Sequence, residues 1–285
     1  SGQVLFAYLH LAPDPEQAKD LVASGAVAIA YETVTSEKGG LPLLAPMSEV
    51  AGRMSVQVAA HFLEKPHGGR GVLMSGATGI APASVVIFGA GVVGSNAAMV
   101  AAGMGGEVTV LNPSAEPLQR LESQLGSRVR TKVSTPAAVE QAVRNADAVI
   151  GAALVPGALA PKLVTRKMLG TMRSGAVLVD VSIDQGGCFE TSRATTHAVP
   201  TFVVDGIVHY CVANMPGAVP RTSTYALNSA TLPFVLALAD QGWRAALQRD
   251  RHLRNGLNIC SGRVTNREVA EALGLSWSNP DAAIA

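Results

Sequence analysis

The chain has 285 residues, of which 48% are hydrophobic and 15% charged, with a formal net charge of +1. This describes a globular chain of one or two domains with ample core. A near-neutral balance without lysine or arginine runs excludes the electrostatic footprint of a nucleic-acid or anionic-membrane binder, and it points to a small-molecule partner.

No uninterrupted apolar run reaches the ~18 residues of a membrane span, and the opening residues lack the charged-then-apolar order of a signal peptide. A cytoplasmic enzyme is therefore expected. Cys188, Cys211 and Cys260 are odd in number, widely spaced and without a CxxC pair. They read as packed thiols, with no disulfide framework and no metal site.

In chain order, a strand over 4–11, a helix over 14–24 and a strand over 26–34 form a parallel βαβ fragment. Asp14 before Pro15, with Gln17 three residues on, has the chemistry of a helix N-terminus. The chain begins almost inside its first strand, so a further sheet partner is expected upstream of Ser1. A helix over 47–63 carries Val50, Met54, Val58 and Phe62 along one face and links two domains. The glycine-rich stretch 66–82 lacks a GK[ST] ending and reads as a turn or small hairpin.

Residues 84–94, SVVIFGAGVVG, are the most informative stretch: an apolar strand runs into Gly89-x-Gly91-x-x-Gly94, and a helix over 95–104 follows. Gly89 permits the tight turn, Gly91 lets backbone approach a pyrophosphate, and Gly94 allows close helix–strand packing. The strand over 107–112 completes a βαβ unit. Further strands are expected over 129–134, 147–154, 176–183 and 209–214, giving a six-stranded doubly wound parallel sheet of Rossmann type. After Pro220 a helix over 224–247, with Leu227, Leu232, Leu236 and Trp243 as candidate core positions, returns across the domain boundary. The fold expected is α/β, a Rossmann domain (47–222) inserted in a second α/β substrate domain (1–46 and 223–285).

In open α/β sheets ligands lie beyond the carboxyl ends of strands, which singles out three places. Asp184, before the Gln185-Gly186-Gly187 turn, either exchanges protons beside a nicotinamide or caps its loop; spacing alone does not choose. Asp180, deeper in the same strand, reads as structural. Asn214 and Met215 close the last Rossmann strand, as ligand contacts or as a turn amide and a core methionine. His10 ends the first strand among apolar residues, a context that suits a core histidine better than a catalyst. His61, His67, His197, His209 and His252 show no carboxylate or cysteine at ligand spacing and read as surface or packing residues.

The strings FAYLHLA, AYETV, LPLLAPMSEVAGR, GAGVVG, GAALVPG, VDVSIDQGGCFE, CVANMP and TSTYALNSATLPF, in that order along nearly the whole chain, closely resemble the bacterial alanine dehydrogenases. The resemblance implies reversible oxidative deamination of L-alanine to pyruvate and ammonia with NAD. It implies that His10 and Asp184 are catalytic, and that Ser48, Gly89, Gly91, Gly94, Asn112, Ser134, Leu154, Asp184, Asn214 and Met215 bind the cofactor. It also implies a homo-oligomer, with hexamers common in the family. The ribose position, usually aspartate, is Asn112 here. The lysine and arginine that hold the substrate carboxylate in the family fall upstream of Ser1, so residues 1–285 alone are expected to bind NAD but to oxidise alanine poorly. Competing readings are the NAD-binding component of a proton-translocating transhydrogenase, which shares the two-domain plan, and a non-catalytic dinucleotide-binding module.

Overall fold

In the computed structural model, which describes residues 2–153 and 160–284, the chain divides into two units. Ser1–Met47 and Arg221–Ala285 form one, and Ser48–Pro220 form the other.

The first unit begins with strand β1 (Val4–Ala7), helix α1 (Pro15–Ser24) and strand β2 (Val27–Ala30). Asp14 caps α1, accepting from Gln17 N at 3.0 Å, and Gly25 ends it in the left-handed conformation. β1 and β2 pair in parallel, from Val4 opposite Val27 to Ala7 opposite Ala30. β1 therefore stops short of the expected 4–11 span. Chain passes to the second unit within helix α2 (Ala45–Phe62), whose buried side includes Val50 and Met54.

The second unit is built on strand β3 (Ser84–Phe88), helix α3 (Val92–Gly103), strand β4 (Glu107–Asn112), helix α4 (Ala115–Leu125), strand β5 (Val129–Val133), helix α5 (Pro136–Asn145) and strand β6 (Ala148–Gly151). Helix α6 (Arg166–Leu169), strand β7 (Val177–Asp180), strand β8 (Thr201–Val204) and strand β9 (Ile207–Tyr210) follow. The sheet order is β5-β4-β3-β6-β7-β9-β8, parallel except for the last pair. β3, β6 and β7 are continuous apolar runs because helices cover both faces of a parallel sheet.

Seven strands stand where six were expected. The addition is β8, joined to β9 by Asp205-Gly206, both at positive φ (51° and 78°), the two-residue turn that matches strand twist. β7 ends at Asp180 and β9 at Tyr210, so Asp184 and Asn214 lie beyond the strands rather than closing them. α3 starts at Val92, three residues before the expected 95, because Gly91 itself is its N-cap.

The return to the first unit is helix α7 (Pro220–Gln241). Gly242 interrupts it, and helix α8 (Trp243–Arg249), helix α9 (Arg251–Arg254), strand β10 (Leu257–Cys260), strand β11 (Arg263–Val264), helix α10 (Arg267–Leu273) and helix α11 (Pro280–Ile284) complete the chain. β10 pairs antiparallel with β2, giving the order β1-β2-β10-β11. Two expected core positions on α7 are wrong: Leu232 and Leu236 are exposed. Leu232 lies five residues from Leu227, about 140° round a helix. The face that packs on the core instead carries Ala230, Phe234 and Leu238, against Val27, Ile29, Leu253 and Leu257.

His209, in β9, is fully buried. Its Nδ1 faces the Ile207 carbonyl at 3.0 Å and must donate, so Nε2 accepts from the Thr191 hydroxyl at 2.8 Å. Burial lowers its pKa. The unfolded chain thus takes up a proton before the folded one does. This contribution to stability is full above the unfolded value of about 6.5 and is lost as pH falls below it. Melting curves at about pH 7.5 and 5.5, on either side of that ~6.5 value, should show a smaller acid-induced drop for His209→Gln than for the parent.

Candidate functional site

Two glycines of the loop stand where backbone leaves no room for a side chain. Gly89 leaves β3 at φ 107°, and a Cβ there would lie 2.4 Å from the Ala152 carbonyl oxygen after β6. A Cβ on Gly94 would lie 1.9 Å from the Gly89 carbonyl oxygen, which is how closely α3 approaches the strand end. Gly91 is different: a Cβ there would meet nothing within 4 Å. It is also the N-cap of α3 and supplies no side-chain cap. The first-turn N–H groups of α3 thus have no side-chain cap, and they lie at the positive end of the helix dipole.

The strands run outward from β3 to β5 on one side and from β6 to β9 on the other, so the switch point lies between β3 and β6. The residues at issue follow the carboxyl ends of neighbouring parallel strands, the side on which such sheets bind ligands. Asn112 ends β4; its Oδ1 accepts from Ala90 N at 3.2 Å and its Nδ2 donates to the Ser114 carbonyl at 2.9 Å. Ser134, just past β5, donates its N–H to the Asn112 carbonyl at 3.0 Å. Ala90, Asn112 and Ser134 are thus linked by hydrogen bonds. Ser48 is half-buried on α2, and Leu154 lies outside the described residues.

Asp184 sits exposed in the single-turn helix Ile183–Gln185. The turn is held from beneath by Asp180, fully buried, whose carboxylate accepts from the backbone N–H groups of Ser182, Cys188 and Phe189 at 3.1, 2.9 and 3.3 Å and from the Ser192 hydroxyl. Burial pushes the Asp180 carboxyl up, and these donors oppose the rise. A Cβ on Gly187 would come within 2.6 Å of that carboxylate, so glycine is required where the turn closes over it. Lys162 binds the Gly186 and Gly187 carbonyls from outside. Burial also pushes the Cys188 and Cys211 thiols up, Cys211 to about 12, with the Asp180 charge as a second cause for each. They are inert packed thiols, not nucleophiles.

Asn214 is exposed, in the left-handed conformation at φ 55°. Its carbonyl accepts from Gly217 N at 2.9 Å and lies 3.1 Å from His197 Nε2. Met215 is buried. His10, in the other unit, lies three residues beyond β1 and is exposed, so the core-histidine alternative fails. Its backbone is also left-handed, at φ 47°. Among the described residues four non-glycines have positive φ; Asp205 and Ser261 are explained by the two-residue hairpin turns Asp205-Gly206 and Ser261-Gly262. The other two are His10 and Asn214. Asn214 opens the single turn Met215–Ala218, and asparagine takes the left-handed conformation readily, which leaves His10 as the residue whose angle calls for a local partner.

One cluster overturns the histidine spacing argument. His61, Glu64 and His67 bring their donor atoms within 4.8 Å of one another, all three exposed. Ligands on a tetrahedral zinc at 2.0–2.1 Å stand only about 3.3 Å apart, and here Glu64 Oε2 lies 3.6 Å from His67 Nε2 on the surface.

Comparison with known proteins bears on this geometry. Models of the alanine dehydrogenase/PNT family match residues 1–51 (N-terminal domain) and 55–267 (C-terminal domain). The alanine dehydrogenase of Halomonas elongata is 61% identical over 277 residues, covering 97% of this chain and 75% of its own length. The chain belongs to the alanine dehydrogenase family. A solved L-alanine dehydrogenase, 50% identical, superposes with a TM-score of 0.91 over 96% of this chain and 76% of its own. A transhydrogenase from Sinorhizobium meliloti, at 23% identity and a TM-score of 0.76 over 92% of this chain and 75% of its own, shares the fold alone. Family membership brings with it a pyridine nucleotide cofactor, and the open helix start at Gly91 fits its phosphates. Among the described residues no helix is long and apolar enough to cross a membrane.

Two glycine substitutions separate these roles. Gly91→Ala should leave the melting temperature within the range of ordinary surface changes, about 0.5 kcal/mol, yet weaken dinucleotide binding in a fluorescence titration. Gly94→Ala should lower both, because its Cβ has no room in the free protein.

Proposed function

We propose that the protein catalyses the reversible oxidative deamination of L-alanine to pyruvate and ammonia, with NAD as the preferred cofactor. The observation that carries this reading is 61% identity to an alanine dehydrogenase across 97% of the chain. The second unit, 47–222 by its sequence boundaries, holds the dinucleotide, and 1–46 with 223–285 serve as the substrate domain.

When bound, the nicotinamide supplies the hydride acceptor. The protein's own work is positioning and proton traffic. Gly89, Gly91 and Gly94 receive the pyrophosphate at the start of α3, and Asn112 and Ser134 line the side of the ribose nearest them. Ser48, Leu154 and Met215 belong to the same cofactor site, and the Asn214 amide orients the nicotinamide carboxamide. His10 hydrogen-bonds the oxygen at the reacting carbon, polarises it and exchanges a proton there. Asp184 orients water or ammonia and relays protons as the amine is exchanged for the carbonyl. The exposure of both groups supports this, since a proton-transferring side chain must reach the substrate. The same reading makes the enzyme cytoplasmic and homo-oligomeric, hexameric by resemblance.

Alanine-dependent reduction of NAD by the full-length protein tests the assignment; no turnover with saturating alanine overturns it. His10→Ala and Asp184→Asn should each lower kcat by about 10²- to 10⁴-fold with unchanged melting curves. A variant near the parent rate loses its role.

Asn112 bears on cofactor choice. Its amide can bond ribose hydroxyls but lacks the charge that repels a 2′-phosphate, so NAD is preferred over NADP by a smaller margin than aspartate gives. Asn112→Asp should widen that margin in paired binding titrations. It should also cost about 1 kcal/mol of stability, because the donation to the Ser114 carbonyl disappears.

A further inference from the structure

The segment that carries His10 is held by Glu32, a residue of the AYETV string to which the sequence assigns no role. Beyond the last paired residues of β1 and β2, Ala7 and Ala30, the ladder hydrogen bonds stop. Three residues past Ala7 stands His10; two past Ala30 stands Glu32, in the single turn Tyr31–Thr33. The Glu32 carboxylate fills the gap. It accepts from Leu9 N at 3.1 Å through Oε1 and 3.3 Å through Oε2, and from His10 N at 2.7 Å through Oε1.

In an extended strand successive N–H groups point to opposite sides. Two consecutive N–H groups can close on one anion only when the backbone curls into a nest, which needs a residue in the left-handed region. That residue is His10, at φ 47°. A histidine does not adopt this conformation freely, so a partner must favour it, and the charged acceptor that rewards both N–H groups is Glu32.

We propose that Glu32 is a positioning residue: its carboxylate binds the Leu9–His10 backbone nest and so fixes the direction in which the His10 imidazole leaves the chain. The proposal rests on the reading of His10 as the acid–base group. The neighbouring contacts agree with it. Leu9 and Leu11, on either side, are buried, which turns the residue between them outward. Gln17 Nε2 donates to the Leu9 carbonyl at 2.7 Å. The Tyr8 ring lies parallel to the imidazole, 5.8 Å between centroids at 14°, and its hydroxyl is anchored on the Leu43 carbonyl at 2.6 Å. The ring is thus guided on one side by Tyr8, while its backbone is held by Glu32.

Glu32→Gln tests the idea with almost no change of shape. The amide keeps one acceptor oxygen and turns an NH2 group toward the N–H groups that the second oxygen served. In the full-length enzyme kcat with alanine should fall about 10- to 100-fold, the scale of a misplaced reacting group, while KM for NAD stays within about twofold and the melting curve is little changed. Glu32→Asp, which keeps the charge at shorter reach, should recover part of the rate. The decisive comparison is the double variant. If Glu32 acts through His10, His10→Ala/Glu32→Gln turns over no more slowly than His10→Ala alone. A further loss of the same factor in the His10→Ala background overturns the proposal, as does a parent-like rate for Glu32→Gln when His10→Ala is impaired. A parent-like rate for His10→Ala overturns the reading of His10 itself and with it any catalytic purpose for the clamp.

Discussion

The approach of α3 to the end of β3 is the constraint from which the dinucleotide-binding unit is built. Gly94 has no room for a side chain over the Gly89 carbonyl, and Gly89 has none beside Ala152. These two contacts press the helix start against the sheet at the point where strand order reverses. The consequence is a helix start that no side chain caps, placed beside the carboxyl end of β4, where Asn112 accepts from Ala90 N. A similar closeness recurs one layer away: a Cβ on Gly52 of α2 would lie 2.3 Å from the Val93 carbonyl oxygen. α3 is thus gripped on two sides by glycines, and its position is set by backbone rather than by adaptable side chains.

Much of the Rossmann unit was legible because its central strands β3, β6 and β7 are nearly continuous apolar runs, while β4 and β5 toward the edge are interrupted by polar residues. The glycine motif fell between a strand and a helix, a context that few flexible turns share. Strand ends were not legible. The sequence VLVDVSI reads as one strand to Ile183, yet β7 ends at Asp180, because that carboxylate collects the N–H groups of the following turn. Hydrophobic alternation carries no trace of such competition. β8 was missed although its Asp205-Gly206 turn is a strong hairpin signal, and β10 because the four residues LNIC hide an asparagine that is itself buried.

The site itself divides the same way. Its glycines could be assigned jobs from spacing alone, and at Gly89 and Gly94 backbone approaches too closely to admit a Cβ. His10 could not: among apolar neighbours it reads as a core residue, and what distinguishes it is a backbone angle, which side-chain pattern does not encode. Family resemblance raised it to prominence. Among the described residues four non-glycines have positive φ, and His10 and Asn214 are the two that lie outside hairpin turns. Asp184 is a related case. Its own side chain is exposed, and the residue that shapes its turn is the buried Asp180, whose place inside an apolar strand reads as structural.

Glu32 and Asp180 solve one problem in two places. A side chain meant to exchange protons must be exposed, and exposed segments outside strands lack the ladder that would hold them. A carboxylate can replace that ladder because it accepts from several N–H groups at once through two oxygens, and its charge strengthens each bond. Glu32 binds the backbone at His10; Asp180 binds the backbone on both sides of Asp184. The costs differ. Asp180 is fully buried and must offset its desolvation with three backbone donors and a hydroxyl, whereas half-buried Glu32 keeps part of its hydration and needs fewer. The acids that hold the backbone are thereby separated from the exposed groups proposed to do the chemistry, His10 and Asp184.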